Sequence, residues 1–292
     1  MDLHIPQKAY GLIKLLRPKQ WVKNTFVFCA LIFSKNLFNR ELFIESIYAF
    51  LLFCCISSCV YILNDIADIE KDRKHPKKKH RPLPAGLITR KQAVFFLIIL
   101  FTSCVICSYV LSIPFTVIIL LYFILNVLYS FKLKQIVIID VMVIAIGFVL
   151  RAVSGAIMID VIISPWLIIC TLLISLFLGL NKRRSEFLML DEKSIECRKT
   201  LGEYSVEMIN EMLSVVSSST IISYALYTFT ASESVYMMGT IPFVLYGIFR
   251  YQYLISKKGW GDTPEVVLLK DIPLIVNILL WSGSSIIIEY IL

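Results

Sequence analysis

The sequence predicts an all-α, polytopic membrane protein whose nine transmembrane helices surround a cavity open to the cytoplasm. Of its 292 residues, 58% are hydrophobic, and the mean hydropathy is +0.78. Apolar runs of about twenty residues, the length of a membrane-spanning helix, recur along the chain. These features exclude an ordinary soluble domain. We expect residues 1–292 to form a single transmembrane domain.

Helix ends and breakers place the spans in order. They fall near residues 20–37, 42–63, 93–112, 115–131, 137–158, 163–181, 210–230, 235–251 and 271–291. The polar stretch that leads to Trp21 is typical of an amphipathic helix at the membrane surface, and no cleavable signal peptide is expected.

The distribution of Lys and Arg tests this count independently. With a cytoplasmic N-terminus, all but three of the 29 basic residues fall in cytoplasmic segments, the exceptions being Lys35, Arg40 and Arg151. The positive-inside rule predicts such a partition. We therefore expect a multi-pass membrane protein with these segments in the cytoplasm. The membrane expected for it is a bacterial inner (cytoplasmic) membrane. Lipid headgroups and phosphorylated substrates account for the net charge of +8, so no nucleic acid partner is expected.

The most informative polar segment follows the second predicted span and reads Asn64-Asp65-Ile-Ala-Asp68-Ile-Glu-Lys-Asp72-Arg73. Asp65, Asp68 and Asp72 stand at i, i+3 and i+7, so they fall on one face of a helix. Carboxylates on one face repel each other unless a divalent cation and a phosphorylated ligand neutralise them. The spacing predicts a Mg²⁺ site made by these three residues and Asn64.

A basic loop follows the acidic face directly. We expect Arg73, Lys78, Lys79 and Arg81 to contact the phosphate oxygens that a metal ion leaves uncovered. The implied ligand is a metal diphosphate, and the implied chemistry is stabilisation of a leaving group. For any single lysine, the positive-inside rule is an equally good explanation, but acids gain nothing from that rule.

Cysteine and histidine give no site. Seven of the eight cysteines lie in apolar spans, where a thiol acts as a small hydrophobe, and Cys197 lies in a cytoplasmic loop. The three histidines are all in polar segments, and no histidine catalysis is expected.

The acidic motif resembles the first signature of the UbiA superfamily of intramembrane transferases. Further likeness runs through Leu16–Asn24, Tyr129-Ser-x-x-Leu133-Lys134, Gly147-Phe-Val-Leu-Arg151-Ala, Lys182-Arg183-Arg184-x-Glu186 and Gly261-Asp262-Thr-Pro-Glu265. The resemblance implies nine helices and a diphosphate bound through Mg²⁺. The longer string that ends in Arg81-Pro82-x-x-Ala85-Gly86 is similar to the decaprenyl-phosphate phosphoribosyltransferase branch.

One difference from the aromatic prenyltransferases of this superfamily distinguishes the two branches. Aromatic prenyltransferases of this superfamily carry a second acidic signature after the sixth helix, where this chain has Asn181-Lys182-Arg183-Arg184-Ser-Glu186. A basic cluster suits two phosphorylated substrates. The resemblance then implies transfer of 5-phosphoribose from phosphoribosyl diphosphate to a polyprenyl phosphate lipid, with release of diphosphate, for synthesis of a cell-surface glycan precursor.

The motifs and the resemblance together indicate the remaining candidate site residues. Asp140 joins Asp65, Asp68 and Asp72 as a catalytic candidate, either completing the metal shell or complementing a helix dipole. Substrate-binding candidates are Lys23, Asn24, Arg73, Lys78, Lys79, Arg81, Tyr129, Lys132, Lys134, Arg151, Lys182, Arg183 and Glu186. Tyr129 is either a hydrogen-bond donor to substrate or an interfacial anchor, and Glu186 orients Arg183.

Arg151 lies deep in the fifth span. It comes eleven residues after Asp140, which is roughly 16 Å along a helix. A charge at that depth is costly unless it is paired, so Arg151 either binds a substrate phosphate or forms a structural pair. Asp262 and Glu265 either close over the site, or bind ribose hydroxyls, or form a solvated loop.

Two rival functions belong to other classes. An aromatic or quinone prenyltransferase would share the fold and the first motif but consume a prenyl diphosphate. A transporter or cation-binding membrane protein would continue polar groups across the bilayer, whereas the spans carry only Arg151 at depth.

Overall fold

The computed structural model describes residues 7–74, 78–188, 203–232, 234–258, 267 and 270–291. Its α-helices are α1 (Gln7–Leu16), α2 (Cys29–Phe33), α3 (Arg40–Ala67), α4 (Ile69–Lys74), α5 (Arg90–Leu111), α6 (Ile113–Phe131), α7 (Ile139–Met158), α8 (Pro165–Leu188), α9 (Val206–Thr230), α10 (Ile241–Lys258) and α11 (Ile272–Ile291). The 3-10 helices cover Pro18–Phe28, Lys78–His80, Leu133–Gln135 and Val235–Thr240. The predicted all-α class is confirmed.

Among the described residues, seven helices are long and apolar enough to cross a membrane: α3, α5, α6, α7, α8, α9 and α11. A multi-pass membrane protein is therefore confirmed. The other two predicted spans are built differently. Residues 20–37 begin in a 3-10 helix and continue in the short α2, and residues 235–251 pass from a 3-10 helix into α10, which carries Arg250. The count of nine stays a prediction.

Side-chain caps fix where several helices begin. Asn39 accepts hydrogen bonds from the first backbone N–H groups of α3. Thr89 and Gln92 form a capping box at the start of α5, and Ser205 caps α9. Each side-chain oxygen satisfies an N–H that has no partner within its helix.

The chain divides into two compact units. The first comprises Met1–Leu31, Leu37–Phe131 and Leu150–Val161, and the second comprises Ile32–Asn36, Lys132–Val149 and Ile162–Leu292. Helix α7 contributes its first half to the second unit and its second half to the first.

In the first unit, α3 packs against α5, α6 and the 3-10 helix Pro18–Phe28. Aromatic and aliphatic side chains such as Phe53, Phe115 and Ile119 fill its core. Gly155 allows the backbone of α7 to approach the backbone at Val27, because a Cβ at position 155 would collide with the carbonyl oxygen of Val27. The 3-10 helix therefore rests directly on the backbone of α7.

In the second unit, α8 and α9 pack along each other, and α10 packs against α11. Phe177, Ile209 and Leu254 are among the fully buried side chains of this core. A buried tyrosine, Tyr204, joins the same core from the segment just before α9.

Candidate functional site

The predicted acidic motif lies where α3 gives way to α4. Helix α3 ends at Ala67, and Asp68 has φ −101° and ψ 12°, so the motif does not occupy one unbroken helix. Hydrogen bonds still run from Asp68 N to Asn64 O at 2.9 Å and from Asp72 N to Asp68 O at 2.8 Å. Because this i to i+4 pattern continues through the break, the carboxylates stay on neighbouring turns. Asp65 and Asp72 are buried, and Asn64 and Asp68 are half-buried.

Asp65 and Asp72 converge on one guanidinium. Nη1 of Arg81 lies 3.1 Å from Oδ1 of Asp65 and 2.6 Å from Oδ2 of Asp72. Charge-assisted hydrogen bonds of this kind are stronger than neutral ones. Two carboxylates from different turns thus place their oxygens around a single cationic atom.

The loop that carries Arg81 is held by its own apolar residues. Leu83 and Ile88 are buried together with Leu15, Ile62 and Ala93. Gly86 has φ +75°, a backbone conformation that favours glycine. The Ala85 N–H donates to Arg81 O at 2.9 Å, which closes the turn directly behind the arginine. Local packing therefore directs Arg81 back toward the acidic motif.

Arg17 completes this cluster, although it was not among the predicted site residues. Its guanidinium forms an ion pair with Oδ1 of Asp65, and about a quarter of its side chain is exposed. The residue is separated from Asp65 by 48 positions. Its place in the Leu16–Asn24 segment was the one sequence signal that could have indicated it.

The other predicted basic residues differ in how close they lie to the acidic motif. Nζ of Lys78 is 4.0 Å from Oδ1 of Asp72. Arg73 pairs instead with Glu70 on the exposed side of α4, at 2.9 Å. Lys79 is exposed beside Lys78, and Lys23 is half-buried in the 3-10 helix. Two of the predicted loop bases, Arg81 and Lys78, thus lie within 4.0 Å of the acids.

The donor set suits a hard divalent cation. Carboxylate oxygens are the ligands that Mg²⁺ prefers, and the pair around Arg81 Nη1 shows that Asp65 and Asp72 can share one cation. The described residues contain no ready group of three or more His, Cys, Asp or Glu side chains arranged for a metal ion. Of the four residues predicted to bind Mg²⁺, which are Asn64, Asp65, Asp68 and Asp72, the structure shows the carboxylates of Asp65 and Asp72 converging on one point.

Arg151 is buried in the first unit and is held by neutral groups. Its Nε donates to Oδ1 of Asn24 at 2.8 Å, and its Nη2 donates to the hydroxyl of Tyr122 at 2.7 Å. The guanidinium also lies over the rings of Tyr122 and Phe53. Asn24 in turn donates to Oγ of Ser57 at 3.1 Å. These contacts pair Arg151 with Asn24 and Tyr122, as the structural alternative expects, and the substrate-binding roles of Arg151 and Asn24 stay predictions.

In the second unit, Asp140 and Arg183 bind each other. Nε of Arg183 lies 2.7 Å from Oδ2 of Asp140, and both side chains are buried. Arg183 also forms an ion pair with Glu186 through Nη1. The prediction that Glu186 orients Arg183 agrees with this contact. Asp140 and Arg183 neutralise each other where a metal ligand and a phosphate contact were expected.

Tyr204 joins this pair, and no sequence pattern indicated it. Its hydroxyl donates to Oδ1 of Asp140 at 2.8 Å and accepts from the backbone N–H of Ile138 at 2.7 Å. Burial is the main cause that raises the pKa of Tyr204 to about 12. The hydroxyl therefore keeps its proton at neutral pH and can serve both partners. Ile138 itself has a left-handed backbone, φ 69°.

The remaining predicted residues are placed as follows. Lys182, Lys134 and Tyr129 are half-buried, and Lys132 is exposed. Asp262 and Glu265 lie outside the described residues.

The chain is similar to known proteins along nearly its whole length. Residues 25–265 match the model of the UbiA prenyltransferase family. The decaprenyl-phosphate phosphoribosyltransferase of Corynebacterium glutamicum is 31% identical over 97% of this chain and 88% of its own length. The protein of the same name from Mycolicibacterium smegmatis is 28% identical over 94% of this chain and 91% of its own.

A solved structure has the same fold. A UbiA homolog from Archaeoglobus fulgidus, bound to GPP and Mg²⁺, superposes with a TM-score of 0.71 and covers 96% of this chain and 100% of its own. The sequence identity is 18%, so the likeness concerns the fold.

Proposed function

Because this chain belongs to the UbiA prenyltransferase family, we propose that it transfers 5-phosphoribose from phosphoribosyl diphosphate to a polyprenyl phosphate lipid, with Mg²⁺ as the metal ion. The relatives named decaprenyl-phosphate phosphoribosyltransferase support this assignment because their likeness extends over 94–97% of the chain. The observation that carries it is the cluster in which Asp65 and Asp72 share Arg81.

This cluster contains both kinds of group that a metal diphosphate needs. Asp65 and Asp72, with Asp68 and Asn64 beside them, would hold Mg²⁺, and Arg81, Arg17 and Lys78 would bind phosphate oxygens. Bound Mg²⁺ would supply charge stabilisation for the departing diphosphate. The protein bases spread that stabilisation over oxygens outside the metal shell.

The acceptor needs little activation by the protein. A lipid phosphate is already an anion at neutral pH, so its oxygen can attack C1 of the ribose without a strong general base. One C1–O bond forms to the lipid phosphate, and the C1–O bond to the diphosphate breaks. Positioning of the two substrates would then supply much of the rate enhancement. The exposed apolar surface of α5, which includes Phe95, Ile106 and Val110, is suited to contact with lipid.

Other residues have supporting roles in this proposal. Lys182, Lys132, Lys134 and Lys23 are candidates for the 5-phosphate or the lipid phosphate, and Tyr129 for a ribose oxygen. Asp140, Arg183 and Glu186 would act as a rigid support because they satisfy one another. We further propose a single domain of nine helices in a bacterial inner membrane. The distribution of basic residues supports a site open to the cytoplasm.

Transfer of radiolabel tests the proposal. Purified protein in detergent is given ribose-labelled phosphoribosyl diphosphate, a polyprenyl phosphate and Mg²⁺, and label in the organic phase is counted. We expect lipid-linked label that requires Mg²⁺ and falls at least ~100-fold in Asp72→Asn. Glu70→Gln is the matched control, since Glu70 lies on the same short helix but pairs with Arg73 at the surface.

The competing function is aromatic prenyl transfer, which the GPP bound in the Archaeoglobus homolog keeps as a candidate. Label that stays in water, together with consumption of a prenyl diphosphate in the presence of an aromatic acceptor, would replace the phosphoribosyl proposal.

A further inference from the structure

Arg17 occupies an oxygen that a metal ion would need. It lies at the turn between α1 and the 3-10 helix Pro18–Phe28, and its guanidinium is paired with Oδ1 of Asp65. Asp65 is one of the carboxylates to which the proposed function assigns Mg²⁺. Donor binding therefore has to change this ion pair.

Helix α3 holds the turn on both sides of Arg17. Oγ of Ser58 donates to the carbonyl oxygen of Leu16 at 2.8 Å and accepts from Nε1 of Trp21 at 3.1 Å. Ser58 and Asp65 stand at i and i+7 and so lie on one face of α3. The face that carries the carboxylate also fixes the backbone that delivers the arginine.

The backbone of Arg17 is strained. Its φ of 52° and ψ of 59° lie in the left-handed region, which L residues other than glycine rarely adopt. Pro18 follows and restricts the conformation of the preceding residue further. Strained residues of this kind persist where the surrounding structure holds them, and they concentrate at functional sites. The guanidinium also lies 4.9 Å from the ring centroid of Tyr61, at i−4 from Asp65.

The charges of the cluster balance without a metal ion. Asp65 and Asp72 carry two negative charges, and Arg17, Arg81 and Lys78 carry three positive ones within 4.0 Å of them. The net charge of these five side chains is positive, and with Asp68, the third predicted metal ligand, it is zero, so the cluster has no excess negative charge to attract a free divalent cation. A cation that arrives with a diphosphate brings phosphate oxygens to which the same bases can bind.

We propose that Arg17 is an exchangeable counter-charge: it neutralises Asp65 in the free protein and transfers to a donor phosphate oxygen when Asp65 takes the metal ion. Metal and diphosphate then bind as a unit, and the metal alone binds weakly. This inference rests on the proposed function, since it takes the donor to be a magnesium diphosphate.

Two binding measurements on the purified full chain test the exchange. Mn²⁺ alone is titrated by electron paramagnetic resonance, and radiolabelled inorganic diphosphate is titrated in saturating Mg²⁺ by equilibrium dialysis. For Arg17→Gln we expect Mn²⁺ alone to bind at least ~5-fold more tightly and diphosphate at least ~5-fold more weakly than for the unchanged protein. Arg40→Gln, which removes the same charge from the exposed opposite end of α3, leaves both affinities within about twofold.

The opposite signs of the two shifts make the outcomes distinct. Weaker diphosphate binding with unchanged Mn²⁺ binding makes Arg17 a plain phosphate contact and overturns the exchange, as does no shift in either. Arg17→Lys keeps the positive charge, so Mn²⁺ alone should still bind weakly to this variant. If Arg17→Lys bound Mn²⁺ as tightly as Arg17→Gln does, the tighter binding would come from a disturbed turn and not from the lost charge, and the proposal would fail. If the proposed donor is wrong, a different result is expected: the unchanged protein would show no Mg²⁺-dependent binding of diphosphate.

Discussion

Aspartate–arginine pairs occur in both units of the molecule, but their surroundings differ. In the first unit, Asp65 and Asp72 share Arg81, whose side chain is 31% exposed. In the second unit, Asp140 pairs with Arg183, whose side chain is only 3% exposed. The bases of the first cluster reach the surface, which the proposed exchange of a protein partner for a ligand requires. The second is enclosed by protein.

Hydrogen bonding explains why the second pair is fixed. One oxygen of Asp140 accepts from Arg183 and the other from Tyr204, while Glu186 takes a further nitrogen of the arginine. A buried polar network whose members satisfy one another is rigid, and loss of one member leaves an unpaired charge. The two clusters use the same residue types, and they differ in whether their bases are accessible to a ligand.

Breaking the enclosed pair should have the largest effect. We expect Arg183→Ala to lower the free energy of unfolding by about 3–5 kcal/mol, because it leaves the Asp140 carboxylate buried without its counter-charge. Denaturant unfolding in detergent, followed by tryptophan fluorescence, measures this loss.

Arg184→Ala is the matched control. Arg184 is the neighbour of Arg183 but binds the side chain of Asn210 at 2.8 Å in an exposed position. Its removal should cost less than about 1 kcal/mol. Equal losses for the two variants would show that the Asp140 pair is no more important to stability than a surface contact.

The sequence predicts the accessible cluster better than the enclosed one for a physical reason. Asp72 and Arg81 are nine residues apart, so local helix geometry and a short loop suffice to bring them together. Asp140 and Arg183 are 43 residues apart, and Tyr204 is 64 residues from Asp140, so their meeting depends on how helices pack. Apolar patterning predicts that helices pack, but not which polar side chains meet between them.

The same limit applies to the first predicted span. Its hydropathy predicted a membrane helix over residues 20–37, but Pro18–Phe28 forms a 3-10 helix. Contacts with Gly155 and Arg151, more than a hundred residues later, hold that segment. Single-segment patterns contain no information about such partners.

Loss of the shared base in the accessible cluster should have the next largest effect. We expect Arg81→Gln to raise KM for phosphoribosyl diphosphate about 10- to 100-fold, which corresponds to roughly 1.4–2.8 kcal/mol, because a phosphate contact and its charge are lost. The melting temperature should change little, since Arg17 and Lys78 still neutralise the carboxylates.

Arg90→Gln serves as the control for Arg81→Gln, because Arg90 is exposed at the start of α5 in the same unit. It should leave KM within about twofold. A loss of stability in Arg81→Gln without a rise in KM would place Arg81 with the structural pairs and remove the contrast between the units.

Tyr204→Phe should have the smallest effect, and it tests whether the Asp140 network acts in stability or in donor binding. Removal of the hydroxyl leaves Oδ1 of Asp140 and the N–H of Ile138 without this partner, at a cost of about 1–2 kcal/mol in unfolding free energy. Tyr236→Phe, at an exposed tyrosine, should be neutral. Because the members of the Asp140 network bind one another, we expect KM for phosphoribosyl diphosphate to stay within about twofold in Tyr204→Phe even though its stability falls. A KM that rose while stability held would instead make the second unit's buried network part of donor binding.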